Sequence, residues 1–205
     1  MILKAEFHFD FGSPNAYLCH RILPNISKRT KIEISYVPVL LGGIFKATNN
    51  RSPMEQYADV KNKKEYIAKE THRFLLKHNI TNFKRNPHFP VNTLMAMRGA
   101  VFAMKKSWGQ TYTDIVYRAM WEEERDIANL ETFRAVLESA NLPATEILEA
   151  CNDAKIKKSL IENSMNSVER GNFGSPTFFA GGEMFFGKDS LDDFESKLTS
   201  QTSAV

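Results

Sequence analysis

The segment Asp10-Phe11-Gly12-Ser13-Pro14-Asn15-Ala16 places a hydroxyl where an apolar strand gives way to a helix. Backbone amides at such a turn have no intrahelical partner, and the positive helix end adds about 0.3–1 kcal/mol of preference for negative charge at exposed sites. Binding of an anion beside Ser13 is one reading. The other is that Ser13 only caps the helix, with Pro14 at the first helical position, where a missing N–H costs nothing. A second segment, Gly174-Ser175-Pro176-Thr177-Phe178, sets a proline directly before an apolar strand. Two readings are open: a cis Ser175–Pro176 bond, which leaves the carbonyl before it and the amide after it open to a ligand, or an ordinary turn.

Other reactive side chains are sparse. Cys19 and Cys151 stand alone and far apart, so no CxxC pair and no dithiol redox centre exists. His8, His20, His72, His78 and His88 show no paired ligand spacing; they are read as surface residues, and no metal site is expected. Lys61, Lys63, Lys64 and Lys69 form a basic run that by itself is a solvated helix face. Met95, Met97 and Met104 with Phe102 are read as core in preference to a substrate wall. Neither a P-loop, a dinucleotide fingerprint nor a GxSxG elbow is present.

The elements that must position these groups follow from periodicity. Phe7, Phe9 and Phe11 alternate with Glu6, His8 and Asp10, a strand that Gly12-Ser13-Pro14 stops. A helix follows, carrying Tyr17, Leu18 and Ile22, with Pro24 expected to kink or interrupt it. Ile32, Ile34 and Tyr36 mark a second strand limited by Pro38, so residues 1–39 are β-α-β. From Gly42 to about Gly171 the period is helical, in five apolar stripes around Phe74, Val101, Val116, Val136 and Leu160, with a Pro-bounded loop at 86–90. Thr177–Ala180, Gly181-Gly182 and Met184–Phe186 make a hairpin on a two-residue glycine turn. A last helix opens at Ser190 with Asp193 in a capping-box-like arrangement.

The chain has 205 residues, 42% hydrophobic and 25% charged, enough to bury a full core and unlike disordered or collagenous chains. Net charge of +3 leaves no basic footprint for nucleic acid. No run spans a bilayer, and acidic Glu6 and Asp10 interrupt the start before any signal-like stretch, so no membrane association and a cytoplasmic location are expected.

Four motifs together resemble the glutathione-dependent 2-hydroxychromene-2-carboxylate isomerase family, which groups with kappa-class glutathione transferases and, more distantly, DsbA-like oxidoreductases. They are Asp10-Phe-Gly-Ser-Pro-Asn-Ala-Tyr-Leu18, Pro38-Val-Leu-Leu-Gly-Gly-Ile-Phe-Lys-Ala47, Asn86-Pro-His-Phe-Pro-Val-Asn-Thr93 and Gly171-Asn-Phe-Gly-Ser-Pro-Thr-Phe178. The resemblance covers essentially the whole chain. It implies an α/β thioredoxin-like fold with a large all-helical insertion: residues 1–41 and 172–205 form the thioredoxin-like domain and 42–171 the insertion. Where dithiol relatives carry CxxC, this chain has Ser13, Pro14, Asn15 and Ala16, so thiol–disulfide exchange through that motif is excluded.

By the same resemblance, Ser13 faces the thiol of bound glutathione and favours its thiolate, while Ser175, Pro176 and Thr177 hold the cysteinyl part. Asn50 and Lys63 match places that touch glutathione, and Asp189 matches the acidic residue at its γ-glutamyl end. Asn49 stands where relatives often have glycine, and Ser190 where they often have arginine; Ser190 remains able to donate to a carboxylate. The implied activity is isomerisation of an aromatic catabolite lying between the two domains, with 86–92 along one wall, in a homodimer. Two rivals stay open: a kappa-like transferase that conjugates glutathione, and a non-catalytic thioredoxin-fold binding protein.

Overall fold

A computed structural model describes residues 4–202. The two ends of the expected thioredoxin-like span, 1–3 and 203–205, lie outside the described residues. Four strands form one mixed sheet: β1 (Ala5–Phe9), β2 (Ile34–Pro38), β3 (Thr177–Ala180) and β4 (Glu183–Phe186), in the order β2-β1-β3-β4. β1 runs parallel to β2 and antiparallel to β3, with Phe7 opposite Tyr36 on one side and Phe178 on the other. The β3–β4 turn is Gly181-Gly182, both at positive φ, as a tight glycine hairpin demands.

The helices are α1 (Pro14–His20), α2 (Leu23–Thr30), α3 (Leu41–Thr48), α4 (Pro53–Gln56), α5 (Lys63–Lys77), α6 (Leu94–Ala103), α7 (Gly109–Trp121), α8 (Leu130–Ser139), α9 (Ala144–Ala150), α10 (Ala154–Glu169) and α11 (Leu191–Thr202). Eight of them, α3 to α10, lie between β2 and β3. The five expected stripes fall on α5, α6, α7, α8 and α10. The others are a Gly-Gly-containing helix, a single turn and a seven-residue helix, each too short to show a period.

Several expectations are corrected. The break expected at Pro24 falls just before it: α1 ends at His20, and Pro24 sits in the first turn of α2, where its missing N–H is harmless. β2 begins at Ile34, so Ile32 precedes it, and Pro38 is its last residue. β1 is buried at all five positions, although its alternation suggested one wet face. Phe7 and Phe9 stack on one side, in contact with Tyr36, Phe178 and Tyr117. Glu6 and His8 point to the other, where Arg170 and Ser167 at the end of α10 cover them. His8 and His20 are therefore core residues, not surface ones. Phe11 lies beyond the strand and is fully buried against Tyr112 and Tyr117.

Candidate active site

Ser13 serves both of its readings at once. Its backbone is extended (φ −93°, ψ 113°), and its Oγ accepts from the Ala16 amide at 3.2 Å, which caps α1. The same Oγ donates to the Ser175 carbonyl at 2.8 Å. Ser175 answers with its own side chain, whose Oγ accepts from the Asp10 amide at 3.2 Å. The Ser175–Pro176 bond is cis.

Asp10 ties together all four motif segments. Its Oδ1 accepts from Gly12 N–H at 2.8 Å and from Thr93 Oγ1 at 2.7 Å, and its Oδ2 accepts from Leu41 N–H at 2.8 Å. With the Ser175 bond to its backbone amide, residues 10, 41, 93 and 175 meet at one residue that is 1% exposed. Burial raises the Asp10 carboxyl above its ordinary range, opposed by the hydrogen bonds from Leu41, Gly12 and Thr93. A side chain at Gly12 would crowd this centre, since a Cβ there would lie 3.3 Å from both Asp10 Oδ1 and Thr93 Cγ2. The turn is anchored further by Phe11, whose N–H donates to Met97 Sδ at 3.4 Å and whose carbonyl accepts from Trp121 Nε1 at 2.8 Å. Sequence reasoning did not single out Asp10 or Thr93. A carboxylate between two buried phenylalanines was the available signal, because such a group must find internal donors.

Asn50 reaches the same cluster. Its Nδ2 donates to the Phe173 carbonyl at 2.8 Å, and its Oδ1 accepts from Arg51 N–H. Asn49 closes α3 in the left-handed region at φ 53°, the conformation that asparagine tolerates best after glycine. Thr177 Oγ1 donates to Asn172 Oδ1 at 2.8 Å within the loop that carries Pro176.

Asp189 and Ser190 come near through the backbone: Gly187 N–H donates to the Pro176 carbonyl at 3.0 Å, and residues 188–190 form a 3-10 turn directly after it. Ser190 does not open α11 with a capping box. Its Oγ donates to the Gly187 carbonyl at 2.9 Å, so the one proton it has to offer is engaged. Asp189 is exposed and pairs with Lys188, whose side chain is 3% exposed and whose Nζ lies 3.6 Å from Glu70 and 5.2 Å from the Phe74 ring centre. These groups, with Arg73 and Lys77, line an open cleft of about 220 Å³. Lys63 is not hydrogen-bonded to the cluster; it starts α5 with its Nζ over the rings of Tyr57 and Tyr66 at 4.8 and 5.6 Å.

Asn86 cannot line a substrate wall. Both of its amide protons are directed to the carbonyls of Met120 and Arg125, and its oxygen accepts from His88 N–H, so it braces the loop from inside. Met97 is wholly buried, as a core residue. Cys19 and Cys151 are buried thiols that burial pushes above their ordinary range, Cys151 to about 11, which leaves them inert as nucleophiles. Among the described residues no group of three or more His, Cys, Asp or Glu is placed to hold a metal ion. No described helix is long and apolar enough to cross a membrane.

Comparison with known proteins adds three kinds of likeness. A family model for a DSBA-like thioredoxin domain matches residues 4–199. The 2-hydroxychromene-2-carboxylate isomerase of Sphingobium xenophagum is 25% identical over 200 residues, spanning 97% of this chain and 99% of the relative. Human glutathione S-transferase kappa 1 is also 25% identical, over 91% of this chain and 87% of that protein. Among solved structures, a 2-hydroxychromene-2-carboxylate isomerase superposes with a TM-score of 0.83 at 25% identity, covering 97% of this chain and 95% of the other.

Proposed function

We propose, from the premise that this chain belongs to the DSBA-like thioredoxin-domain family, that it is a glutathione-dependent isomerase. Its substrate pair would be 2-hydroxychromene-2-carboxylate and trans-o-hydroxybenzylidenepyruvate, or a similar aromatic catabolite. The observation that carries this reading is Ser13: positions 13 and 16, where dithiol relatives hold cysteines, offer a hydroxyl and a methyl, and the hydroxyl faces the Ser175–Pro176 turn.

The residues present suit glutathione. Ser13 Oγ is a single donor beside a strand entry, and the cleft beside Asp189 carries both signs of charge in Glu70, Arg73 and Lys188, as a zwitterionic γ-glutamyl end requires. Asn50 bonds the Phe173 carbonyl, three residues before Pro176, and Lys63 starts helix α5. When bound, glutathione supplies a thiolate that adds to a conjugated carbon and leaves again, so that a double bond rotates as a single bond in between. Ser13 supports this by turning its hydroxyl from the Ser175 carbonyl to the sulfur, while Ala16 N–H keeps donating to Oγ. A hydroxyl that is itself accepting a hydrogen bond is the better donor, and donation to the charged form lowers a thiol's pKa. Asp10 is no proton carrier here, since both its oxygens are occupied by donors in the interior.

In this reading residues 1–41 and 172–205 act as the glutathione-holding domain, 42–171 as the insertion that covers it, and the working unit is a homodimer. A second reading, conjugation of glutathione to an electrophile, draws support from the likeness to glutathione S-transferase kappa 1. Absorbance spectroscopy of the chromene acid with and without glutathione tests the proposal: interconversion that needs both protein and glutathione supports it, and none contradicts it.

A further inference from the structure

A line of buried polar side chains runs from the Pro176 loop to the far side of β1, and the proposed chemistry makes no use of it. Its direction can be assigned from one fixed donor. The Gly174 backbone N–H, which can only donate, lies 2.8 Å from Asn172 Oδ1. Thr177 Oγ1, 2.8 Å from the same oxygen, donates as well. The other end of the Asn172 amide must then be nitrogen, and it donates to Ser167 Oγ at 2.7 Å. Ser167 directs its own proton to His8 Nδ1, 2.8 Å away. His8 is therefore protonated on Nε2, which faces Glu6 Oε2 at 3.4 Å. Glu6 ends the line, its carboxylate held by Lys4 and Arg170 at 2.5 Å each, with the Arg170 guanidinium 3.7 Å from the Phe179 ring centre.

Every donor in this line has an acceptor, and the protons all run one way, from the loop to Glu6. Glu6, His8, Ser167, Asn172 and Thr177 are each at most 4% exposed. Burial alone would raise Glu6, but hydrogen bonds from Lys4 and Arg170 and the Arg170 charge outweigh it and hold the carboxyl at about 2. Desolvation lowers His8 to about 4, against the pull of Glu6. An ionised Glu6 and a neutral His8 are the states that the bonding direction requires.

We propose that Asn172 is a positioning residue for the ligand loop: it fixes the Gly174–Thr177 backbone, on which the proposed function seats glutathione, and imposes the Nε2–H form on His8 through Ser167. A leucine at 172 would fill the space but leave the Gly174 N–H without its acceptor and the Thr177 hydroxyl with only the Gly174 carbonyl, 3.1 Å away. An aspartate would keep both of those bonds. Its second oxygen, however, would accept from Ser167, turning that proton away from His8 and requiring a proton on Nδ1.

The test combines nitrogen-15 NMR of the histidines with calorimetry of glutathione binding, on the wild type, Asn172→Asp and Asn172→Leu. The wild type is expected to show His8 neutral at pH 7 with its proton on Nε2. In Asn172→Asp the His8 titration moves up toward its ordinary value of 6.5, and glutathione affinity stays within about threefold of wild type. In Asn172→Leu affinity falls by about tenfold or more, and KM for glutathione rises by more than kcat falls. A His8 proton on Nδ1 in the wild type, an unmoved His8 titration in Asn172→Asp, or unchanged affinity in Asn172→Leu would overturn the proposal. A wild type that binds no glutathione overturns the proposed function instead, and the His8 signals still decide whether the line exists.

Discussion

Ser13 Oγ donates to the carbonyl of Ser175 at 2.8 Å, a bond between residues 162 positions apart in the chain. It joins the start of the first helix to the entry of the third strand, and it holds in place the one proton that the proposed chemistry needs. Removing the hydroxyl thus has two separable effects. Ser13→Ala loses an N-cap worth about 1 kcal/mol and is expected to fold normally, with a small drop in Tm. Turnover is expected to fall by about 10²-fold, as for loss of one donor to a developing anion. Wild-type turnover in a folded Ser13→Ala protein would leave Ser13 with its capping role alone.

Ser13→Cys probes the same place with the opposite chemistry. Ala16 offers no resolving thiol, and Cys19 is buried, so with glutathione disulfide the new thiol should exchange to a mixed disulfide, releasing one glutathione thiol, and show no dithiol oxidase activity. Mass spectrometry of the intact chain reads the adduct; turnover of a disulfide substrate would contradict the expectation.

Asp10→Asn should be severe despite its near-identical shape. The Gly12 and Leu41 amides both point at the carboxylate, so an NH2 on either side meets a fixed donor, and one buried N–H is left unpaired at a cost of about 1–3 kcal/mol. Thr93→Val removes one donor and leaves the rest, at about 1 kcal/mol. Denaturant titration of the two variants should rank them in that order; equal stability would show that Asp10 is not the joint between the segments.

Stability should also fall in mild acid. His8 is held at about 4 in the folded chain against 6.5 when solvated, so the unfolded state binds the extra proton first and stability decreases as pH drops from 6.5 to 4. The full depression corresponds to about 3 kcal/mol. Glu6, lowered to about 2, adds a further loss below 4.5, whereas Asp10, which is raised, acts in the opposite sense. Replacing His8 by Asn should flatten the profile between pH 6.5 and 4 relative to wild type, as measured by chemical denaturation at each pH; an unchanged slope would show that His8 is not the titrating group.

Assembly is open to light scattering. β4 is an edge strand, and Phe186 is 42% exposed beside Phe173, which is 39% exposed, an apolar pair on the surface near the Pro176 loop. A homodimer of the 23.4 kDa chain should scatter as about 47 kDa at micromolar concentration. A mass of one chain, unchanged by glutathione, would remove the dimer and leave the site intact.

Local chemistry in the sequence announced the parts of the site that are local in the chain. Ser13-Pro14 is a cap wherever it occurs before a helix, and Gly181-Gly182 between two apolar runs makes a hairpin. The partners across the fold were hidden. His8 looked like a surface residue because the groups that bury it, Ser167 and Arg170, come from a helix that ends about 160 residues later. Asn86 was placed along the substrate wall with the rest of 86–92 because its acceptors, carbonyls of α7 and of the turn after it, are distant in the chain. The break before Pro24 was read at the proline itself because a helix broken at a proline and two helices meeting just before one have the same apolar pattern. Ser190 and Asp193 have capping-box spacing, but Ser190 is the last residue of a 3-10 turn that runs directly into α11, so the chain does not open a cap position there.

Counting product against glutathione tests the central claim most directly. With the wild-type chain, a sub-stoichiometric amount of glutathione and an excess of 2-hydroxychromene-2-carboxylate, free thiol and both substrate isomers are followed together by thiol titration and chromatography. The account predicts many isomer molecules formed per glutathione, with free thiol unchanged at the end. Product limited to one per glutathione, with thiol lost in step, would contradict isomerisation and establish conjugation in its place.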